Sequence, residues 1–314
     1  MTKMEQGGYD NVNKHLKTGV IGWLTASLLI AGSALTTGTA SAAPSAIEVR
    51  MNNLFVDTDV APYITNGTTM VPLQVAQKIP GISVQWNNSS KTVTITRDGE
   101  TITLVAGQKT AKVGNKAVKL ETASTLKQGR VMVPLRFIAE STQAYVLWNP
   151  KQRIVFVAKP SEEVKEQFAS SSLAKARTAA LKFPVVSSLE SFEVINETQG
   201  QQYYFPEGRA DQFFLSGGNG ITYYEIVGNH SEAKWTATTN SVKASSGLFF
   251  LPQKITNQDG ELPKITKRVV FYNFMGPIGE ATYGFIEPNG EVTTLGQQDM
   301  KLHQFFDIPE EVKS

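Results

Sequence analysis

The sequence predicts an α+β protein in which tandem strand-helix-hairpin repeats are followed by a linking helix and a mostly β C-terminal domain. Three observations support this prediction. The chain aligns on itself at an offset of 62 residues, an Ala-rich segment follows Pro160, and short aromatic-rich segments separated by turn residues begin at Pro184. Each part is considered below in chain order.

The composition is that of an ordinary globular protein long enough for two domains. The chain has 314 residues, of which 41% are hydrophobic and 18% charged. Its 30 basic and 28 acidic residues give a formal net charge of +2, and the basic residues form no block that could follow a phosphate backbone. Nucleic acid is therefore excluded as an expected partner.

The N-terminus has the pattern of a secretory signal peptide, which we place at residues 1–42. Lys14 and Lys17 precede an apolar run over 20–31, and small residues end at Ala40-Ser41-Ala42, an A-x-A cleavage site. The alternative is an uncleaved membrane anchor, which needs about 20 apolar residues. Gly32 and the Thr-rich stretch after it interrupt the run too early for that alternative.

The sequence contains no cysteine, so an exported chain would carry neither a disulfide nor the lipobox cysteine used for lipid attachment. No second apolar run of membrane-spanning length follows the first. We therefore expect a secreted, extracellular protein, either released or associated with the cell wall, with no membrane contact after signal cleavage.

The internal similarity falls in three separated blocks, which makes chance improbable. The matching blocks are 67–73 with 129–135, 84–87 with 146–149, and 92–95 with 154–157. We predict two repeats, at about 47–96 and 109–158. Gly114-Asn115 marks a hairpin between them.

Each repeat is predicted to run strand, turn, helix, hairpin. A proline opens each short helix, where its missing N–H has no cost, giving helices over 73–79 and 135–141. An alternating strand follows and places valine and tryptophan on one face, so each tryptophan is expected to pack on the helix. The predicted structural posts of the two repeats are Pro72, Trp86, Pro134 and Trp148.

The second repeat carries the pattern of a known family. Val133-Pro134-Leu135-Arg136-Phe137-Ile138-Ala139-Glu140, followed by Val146-Leu147-Trp148-Asn149, resembles the copper amine oxidase N-terminal-like domain, or stalk domain, of secreted Gram-positive proteins. The resemblance covers roughly residues 47–158, within a predicted domain at 43–159. It implies a non-catalytic, stalk-like α+β module. The first copy departs from the pattern at Gln74 and Lys78.

The character of the chain changes after Pro160. Ser161 is a predicted N-cap with two glutamates after it, and the Ala-rich run predicts one linking helix over 160–183. From there, eight short segments predict a β-rich domain at 184–314 that resembles no family we recognise. The predicted strands are 201–205, 212–215, 221–227, 234–238, 247–251, 268–274, 281–286 and 291–295.

The sequence also tests whether an oxidase could accompany the stalk. Copper amine oxidases use three histidine ligands and a tyrosine-derived quinone in an Asn-Tyr-acidic context. Removal of the signal peptide takes His15 and leaves His230 and His303, and the residue before Tyr224-Glu225 is a tyrosine. We therefore predict no enzyme, no cofactor and no metal site.

Doubled aromatic residues are the most prominent candidate binding feature. Adjacent rings on a strand point to opposite faces, so one set can fill a core while the other is exposed to the flat faces of sugar rings. The candidate platform residues are Tyr203, Tyr204, Phe213, Tyr223 and Tyr224. The alternative is that both faces of the sheet are covered.

Together these features predict a non-enzymatic, exported binding or scaffold protein of the cell surface or cell wall. Its expected partner is a cell-wall polysaccharide or another surface protein. The alternative is a secreted hydrolase acting on wall polysaccharide or peptide, with a carboxylate pair in the C-terminal domain. Its candidate carboxylates are Glu207, Asp211, Glu225, Glu280 and Glu287.

Overall fold

The N-terminal module, residues 46–158, is built from thirteen short strands and two short helices. The computed structural model describes residues 46–192, 201–275, 279–299 and 304–311. The predicted signal peptide at 1–42 lies outside them. The first copy comprises β1 (Glu48–Met51), β2 (Leu54–Phe55), β3 (Tyr63–Thr65), β4 (Thr68–Pro72), α1 (Leu73–Ala76), β5 (Ser83–Asn87) and β6 (Thr92–Arg97). After β7 (Glu100–Val105) come β8 (Thr110–Val113), β9 (Lys116–Lys119), β10 (Thr125–Lys127), β11 (Arg130–Pro134), α2 (Leu135–Ser141), β12 (Tyr145–Asn149) and β13 (Ile154–Ala158).

Three sheets form the module, in the orders β12-β13-β1-β2, β10-β11-β4-β3 and β5-β6-β7-β8-β9. At the centre of the second sheet, β4 and β11 run antiparallel with Val71 opposite Val133. These two valines stand 62 residues apart in the chain. The register is thus that of two like strands meeting about a local two-fold axis.

The hairpins of the module are exchanged between its two halves. The β1–β2 hairpin pairs with β13, through a parallel ladder that sets Glu48 opposite Ile154. The β8–β9 hairpin joins β6 through the intervening strand β7. Each half therefore completes the sheet of the other half, and one buried core runs through both, from Ile47 to Val157.

Two helices follow, where the sequence predicted one. They are α3 (Glu162–Phe168) and α4 (Leu173–Ala180). The break has a local cause, because the Ser172 hydroxyl accepts a hydrogen bond from the amide of Lys175 and caps α4. Helix α4 is also more than a linker, since most of its residues, including the charged Arg177, are buried.

The C-terminal sheet has nine strands, and the prediction of a mostly β C-terminal part is confirmed. The strands are β14 (Val185–Ser187), β15 (Gln201–Pro206), β16 (Gln212–Gly217), β17 (Gly220–Val227), β18 (His230–Lys243), β19 (Gln253–Gly260), β20 (Val269–Met275), β21 (Glu280–Ile286) and β22 (Val292–Asp299). Their order is β14-β18-β17-β16-β15-β20-β21-β22, with β19 paired to β18. The strand expected at 247–251 is a turn instead. The polar stretch 257–260, which reads as a turn in the sequence, ends β19.

Both faces of the C-terminal sheet are covered. One face carries a core that includes Tyr203, Phe213 and Tyr224, closed by α4 and by the C-terminal residues Phe305 and Ile308. The other face carries a second core, in which aromatic rings from the adjacent strand positions pack against residues on either side of β19. Its members include Tyr204, Phe214, Tyr223, Trp235, Phe250 and Leu251.

The N-terminal module and the C-terminal sheet belong to one compact unit, Pro44–Ser314. Asn149 at the end of β12 is fully buried, and its side-chain amide donates to the carbonyls of Ser187 at 3.0 Å and Leu189 at 2.8 Å. Its carbonyl oxygen accepts from the amides of Lys151 and Gln152, both at 3.1 Å. One side chain thus holds the β12–β13 turn and binds it to β14.

The C-terminal segment 304–311 is anchored by a buried ion pair. Glu311 pairs with Arg177 through both carboxylate oxygens, and the two side chains are 0% and 1% exposed. The amide of Gly208 also donates to Glu311, at 2.9 Å. Arg177 in addition donates to the carbonyl of Arg209 at 3.0 Å and stands over the Phe205 ring.

Among the described residues, no helix has the length and apolar character that a membrane span requires. Across the same residues the secondary structure is mostly β with few helices, so the helical share is smaller than the α+β prediction implies.

Candidate functional site

The N-terminal module has a groove of about 550 Å³ beside helix α2. Four segments surround it: the β3–β4 turn, the end of β9, helix α2, and strand β12. Its volume lies within the range of roughly 300–1,000 Å³ typical of ligand pockets. The groove is therefore the candidate site that the fold offers.

The floor of the groove is apolar. Helix α2 buries Leu135, Ile138 and Ala139 in the module core, which leaves Phe137 half-buried at its side. Strand β12 alternates, so Val146 and Trp148 face the groove while Leu147 packs on Phe156 and Val186 on the other face. The partly exposed faces of Phe137 and Trp148 can thus contact a ligand while their remainder packs on the core.

The rim of the groove carries charges of both signs. Arg136 and Glu140 stand on α2, Lys119 ends β9, and Glu121 follows it; all four are exposed. Arg136 and Glu140 stand four residues apart on α2 and form no ion pair with each other. In the described part of the chain, Arg136 has no ion pair within 4.0 Å. Its guanidinium is available to an anionic group.

At the corresponding place in the first half of the module, the rim residues pair with other residues of the protein. Residues 62 positions before Glu121, Arg136 and Glu140 are Asp59, Gln74 and Lys78. There, Asp59 accepts a hydrogen bond from Gln74 at 3.1 Å and pairs with Arg130 on β11. The residue 62 positions before Arg130 is Thr68, which cannot make such a pair across the groove. The two halves therefore differ where they could bind a ligand.

A second cavity of about 410 Å³ lies near this first-half place, lined by Asn52, Leu54, Phe55, Asp57 and Lys78 among others. Trp86, which stands 62 residues before Trp148, does not line this cavity. The guanidinium of Arg50 stands 4.1 Å from the Phe55 ring centroid, and burial lowers the pKa of Arg50. This cavity thus lacks the tryptophan and the free arginine of the groove.

The predicted aromatic platform is not exposed. The five candidate side chains are 0–7% exposed: Tyr203 0%, Tyr204 7%, Phe213 3%, Tyr223 3% and Tyr224 4%. Adjacent rings do point to opposite faces of the sheet, but each face is covered by a core. The expectation of a sugar-binding surface made from these rings is therefore wrong, and the alternative of two covered faces describes the sheet.

Burial also governs the chemistry of these tyrosines. Burial raises the pKa of Tyr204 to about 12. The pKa of Tyr223 is raised mainly by burial. A second cause is the hydrogen bond that its hydroxyl donates to Glu225 at 2.7 Å. Burial likewise raises the pKa of Tyr224. All three hydroxyls stay protonated at neutral pH, as members of a core.

The predicted structural posts lie along the module core. Pro72 and Pro134 are buried and immediately precede α1 and α2. Trp86 and Trp148 are half-buried and pack against the core on β5 and β12. Trp148 also lines the groove, a role that the sequence reasoning did not assign.

His230 lies at the junction of the module and the C-terminal sheet. It is 5% exposed and stacks on Tyr145, with ring centroids 3.9 Å apart and planes inclined by 9°. Both ring nitrogens are buried without a hydrogen-bond partner among the described residues. Desolvation lowers the pKa of His230. His303 lies outside the described residues, and within them no group of three His, Cys, Asp or Glu could hold a metal ion.

The carboxylates considered for a hydrolase are each engaged by a neighbour. Glu207 pairs with Arg268, which also lies 3.6 Å from Glu287. Asp211 pairs with Arg209 at 2.6 Å, Glu225 accepts from Tyr223, and Glu280 accepts from Gln297. All five of these candidate carboxylates thus have structural partners.

Sequence reasoning missed the groove because its walls come from segments far apart in the chain. The sequence pattern marks Arg136 and Glu140 only as members of the family motif, and Trp148 only as a structural post. A signal was nonetheless present in the departures between the copies, since Gln74 and Lys78 stand where the second copy has Arg136 and Glu140. Positions that differ between otherwise similar copies are where their functions can differ.

Comparison with known proteins identifies the first part of the chain. Residues 50–157 match the family model of the copper amine oxidase N-terminal domain. The match confirms, for this part of the chain, the resemblance that its sequence pattern predicts. No curated protein matches the chain.

Proposed function

We propose that this chain is a non-enzymatic, exported binding or scaffold protein of the cell surface or cell wall. The observation that carries the proposal is the groove, which joins an aromatic floor to a free arginine on a domain whose family part is non-catalytic. The signal-peptide pattern of residues 1–42 supports export. The expected partner is a wall polysaccharide or another surface protein.

The module is further proposed to be a duplicated unit. The bounds of its strands support this: β3 and β10, β4 and β11, and β5 and β12 begin and end at the same offset of 62 residues. Tyr63 and Thr125, which are separated by that offset, share a hydrogen bond of 3.3 Å between their side-chain oxygens. Duplication followed by divergence would explain why one half keeps an open groove.

A scaffold role is supported by how the module joins the C-terminal sheet. The Asn149 hydrogen bonds and the stack of Tyr145 on His230 connect the two parts at two places. Such a junction holds the groove in a fixed orientation relative to the sheet. A rigid presentation of a binding surface suits a stalk.

Sedimentation with purified Gram-positive cell wall tests the proposed function. The protein used is the predicted mature chain, 43–314, with Trp148→Ala as the groove variant and Trp86→Ala as its matched control. We expect the wild-type chain to sediment with wall carrying its surface proteins and Trp148→Ala to be depleted from the pellet. If the wild-type chain stays in the supernatant, the proposal is wrong.

The rival hypothesis of a secreted hydrolase is tested on the same preparation. Release of reducing sugar or free amino groups from the wall by the mature chain would favour it. Substitution of Glu207 and Glu287 to glutamine would then identify the carboxylates, because these two share Arg268.

A further inference from the structure

We infer that the groove binds an extended polypeptide segment that adds a strand to the free edge of β9. This inference rests on the proposed binding function and names its site and ligand class. The recognised segment would carry apolar side chains at alternate positions and an acidic side chain that pairs with Arg136. Its source would be a flexible segment of another surface protein.

Strand β9 is an edge strand with unpaired backbone groups. It pairs with β8 alone and ends the five-stranded sheet. The amide of Leu120 donates to the carbonyl of Lys109, which fixes the alternation of the ladder. The backbone groups of Val118 and Lys116 therefore face β8, and those of Ala117 and Lys119 face outward.

The free edge of β9 borders the groove. Val118 and Lys119 both line it, together with the residues that follow them. Ala117 and Lys119 are exposed, so no part of the described chain covers the edge there. An unpaired strand edge is a template for a further strand.

The groove offers an apolar floor and a free arginine to the alternate side chains of an added strand. Residues on the same side as Val118 would point over Phe137, Val146 and Trp148, where apolar groups are removed from water. Arg136 at the rim can bind a carboxylate with two parallel hydrogen bonds. Glu140 and Glu121 disfavour a second acidic residue beside it.

The closed half of the module shows the same arrangement satisfied internally. There the carboxylate of Asp59, anchored by Gln74, is the partner of Arg130. A ligand carboxylate paired with Arg136 would reproduce this carboxylate–guanidinium contact in the open half. The edge strand there, β2, has only two residues, too few for a further strand to pair along it.

The test begins with a phage-displayed library of random nine-residue peptides, selected on the immobilised chain 43–314. Enriched peptides are synthesised and their affinities measured by fluorescence polarisation. We expect the enriched peptides to share apolar residues at alternate positions and an acidic residue. Arg136→Glu should weaken binding at least tenfold, whereas Lys78→Glu, the same charge change in the closed half, should leave it within twofold.

Two further measurements separate strand addition from simple adhesion. Methylation of the peptide backbone nitrogens, one at a time, should weaken binding at alternate residues only, because only those amides face β9. Exchange of the acidic residue for lysine should restore binding to Arg136→Glu. Circular dichroism of each variant confirms that the fold is retained.

The inference is overturned if no enriched peptide depends on Arg136, or if methylation has the same effect at every position. It is also overturned if chitohexaose, a probe for glycan binding, binds in a manner that Arg136→Glu abolishes while the peptides do not. The wall sedimentation assay is read separately. If the chain sediments but no peptide depends on Arg136, the proposed function stands and the ligand class named here is wrong.

Discussion

Replacement of Glu311 with glutamine is expected to destabilise the folded chain by about 3–5 kcal/mol, because it leaves a buried guanidinium without its counter-charge. Glu311 and Arg177 are nearly inaccessible to solvent. Three donors converge on the Glu311 carboxylate, two from Arg177 and one from the amide of Gly208. The neutral amide of glutamine cannot accept all three, and its own N–H group would face the donors.

The magnitude follows from what remains after the change. Arg177 keeps its hydrogen bond to the carbonyl of Arg209 and a long one of 3.4 Å to the hydroxyl of Tyr272. Neither partner carries a negative charge at neutral pH; burial raises the pKa of Tyr272 to about 12. The cost is therefore that of an uncompensated buried charge, and it exceeds the value of about 1 kcal/mol typical of an ordinary hydrogen bond.

The assay is urea unfolding of the chain 43–314, followed by tryptophan fluorescence and far-UV circular dichroism. The matched control is Glu162→Gln, which breaks the exposed pair with Lys165 and should change the free energy of unfolding by less than about 1 kcal/mol. A double variant, Arg177→Met with Glu311→Leu, should recover part of the lost stability. A loss below about 1 kcal/mol for Glu311→Gln would refute the reasoning.

Three other predictions concern the junction and the C-terminal sheet. Burial lowers the pKa of His230 below 6.5, so protons bind more tightly to the unfolded chain. The contribution of His230 to the free energy of unfolding should be constant above pH 6.5. It should fall as the pH drops below 6.5, by at most about 1.4 kcal/mol per pH unit, until the folded-state pKa is passed. Asn149→Ala should lower the free energy of unfolding by roughly 1–3 kcal/mol for each buried group left without a partner, as urea titration would show. Gly284→Ala should lower it by about 1–3 kcal/mol or more, because a Cβ there would lie 2.0 Å from the carbonyl oxygen of Thr293; thermal unfolding measures this.

Each of these has a control within the chain. His230→Phe preserves the stack on Tyr145 and should remove this contribution to the pH dependence; an unchanged slope would assign it to other groups. Asn87→Ala, 62 residues before Asn149, affects an exposed turn and should cost little. Gly220→Ala is the matched control, because this strand glycine also lacks a positive φ and its Cβ would come no closer than 3.7 Å to another atom. Equal losses for Asn149→Ala and Asn87→Ala would contradict the junction argument.

Much of the module could be predicted from sequence because its signals are local. Proline before each helix and valine and tryptophan alternating along each strand placed α2 at its observed bounds and most strands within one or two residues. The helix break was missed because alanine-rich composition dominated the reading, while the capping hydroxyl of Ser172 decided the structure. A single side-chain hydrogen bond can outweigh the propensity of a whole segment at that point.

The exposed platform could not be decided from sequence because alternation fixes which side a ring points to, but not what covers that side. Tyr204 and Tyr223 are covered by a segment that includes Leu248, Phe250 and Leu251, read as a strand. Tyr203 is covered by Phe305, more than a hundred residues away in the chain. The groove could not be predicted because Arg136 on α2 and Lys119 on β9 come together only in the packed module.

The exchange of hairpins in the module has a consequence for how the chain reaches its native state. Apart from its hairpin partner β2, the first strand, β1, pairs with β13, so the ladder of Glu48 with Ile154 closes a loop that spans nearly the whole module. Loops of this length close slowly, because their entropy is lost before any contact compensates for it. Neither half contains a complete sheet to fold onto, and the last strand of the module to be synthesised is the one on which the pairing of its first hairpin depends.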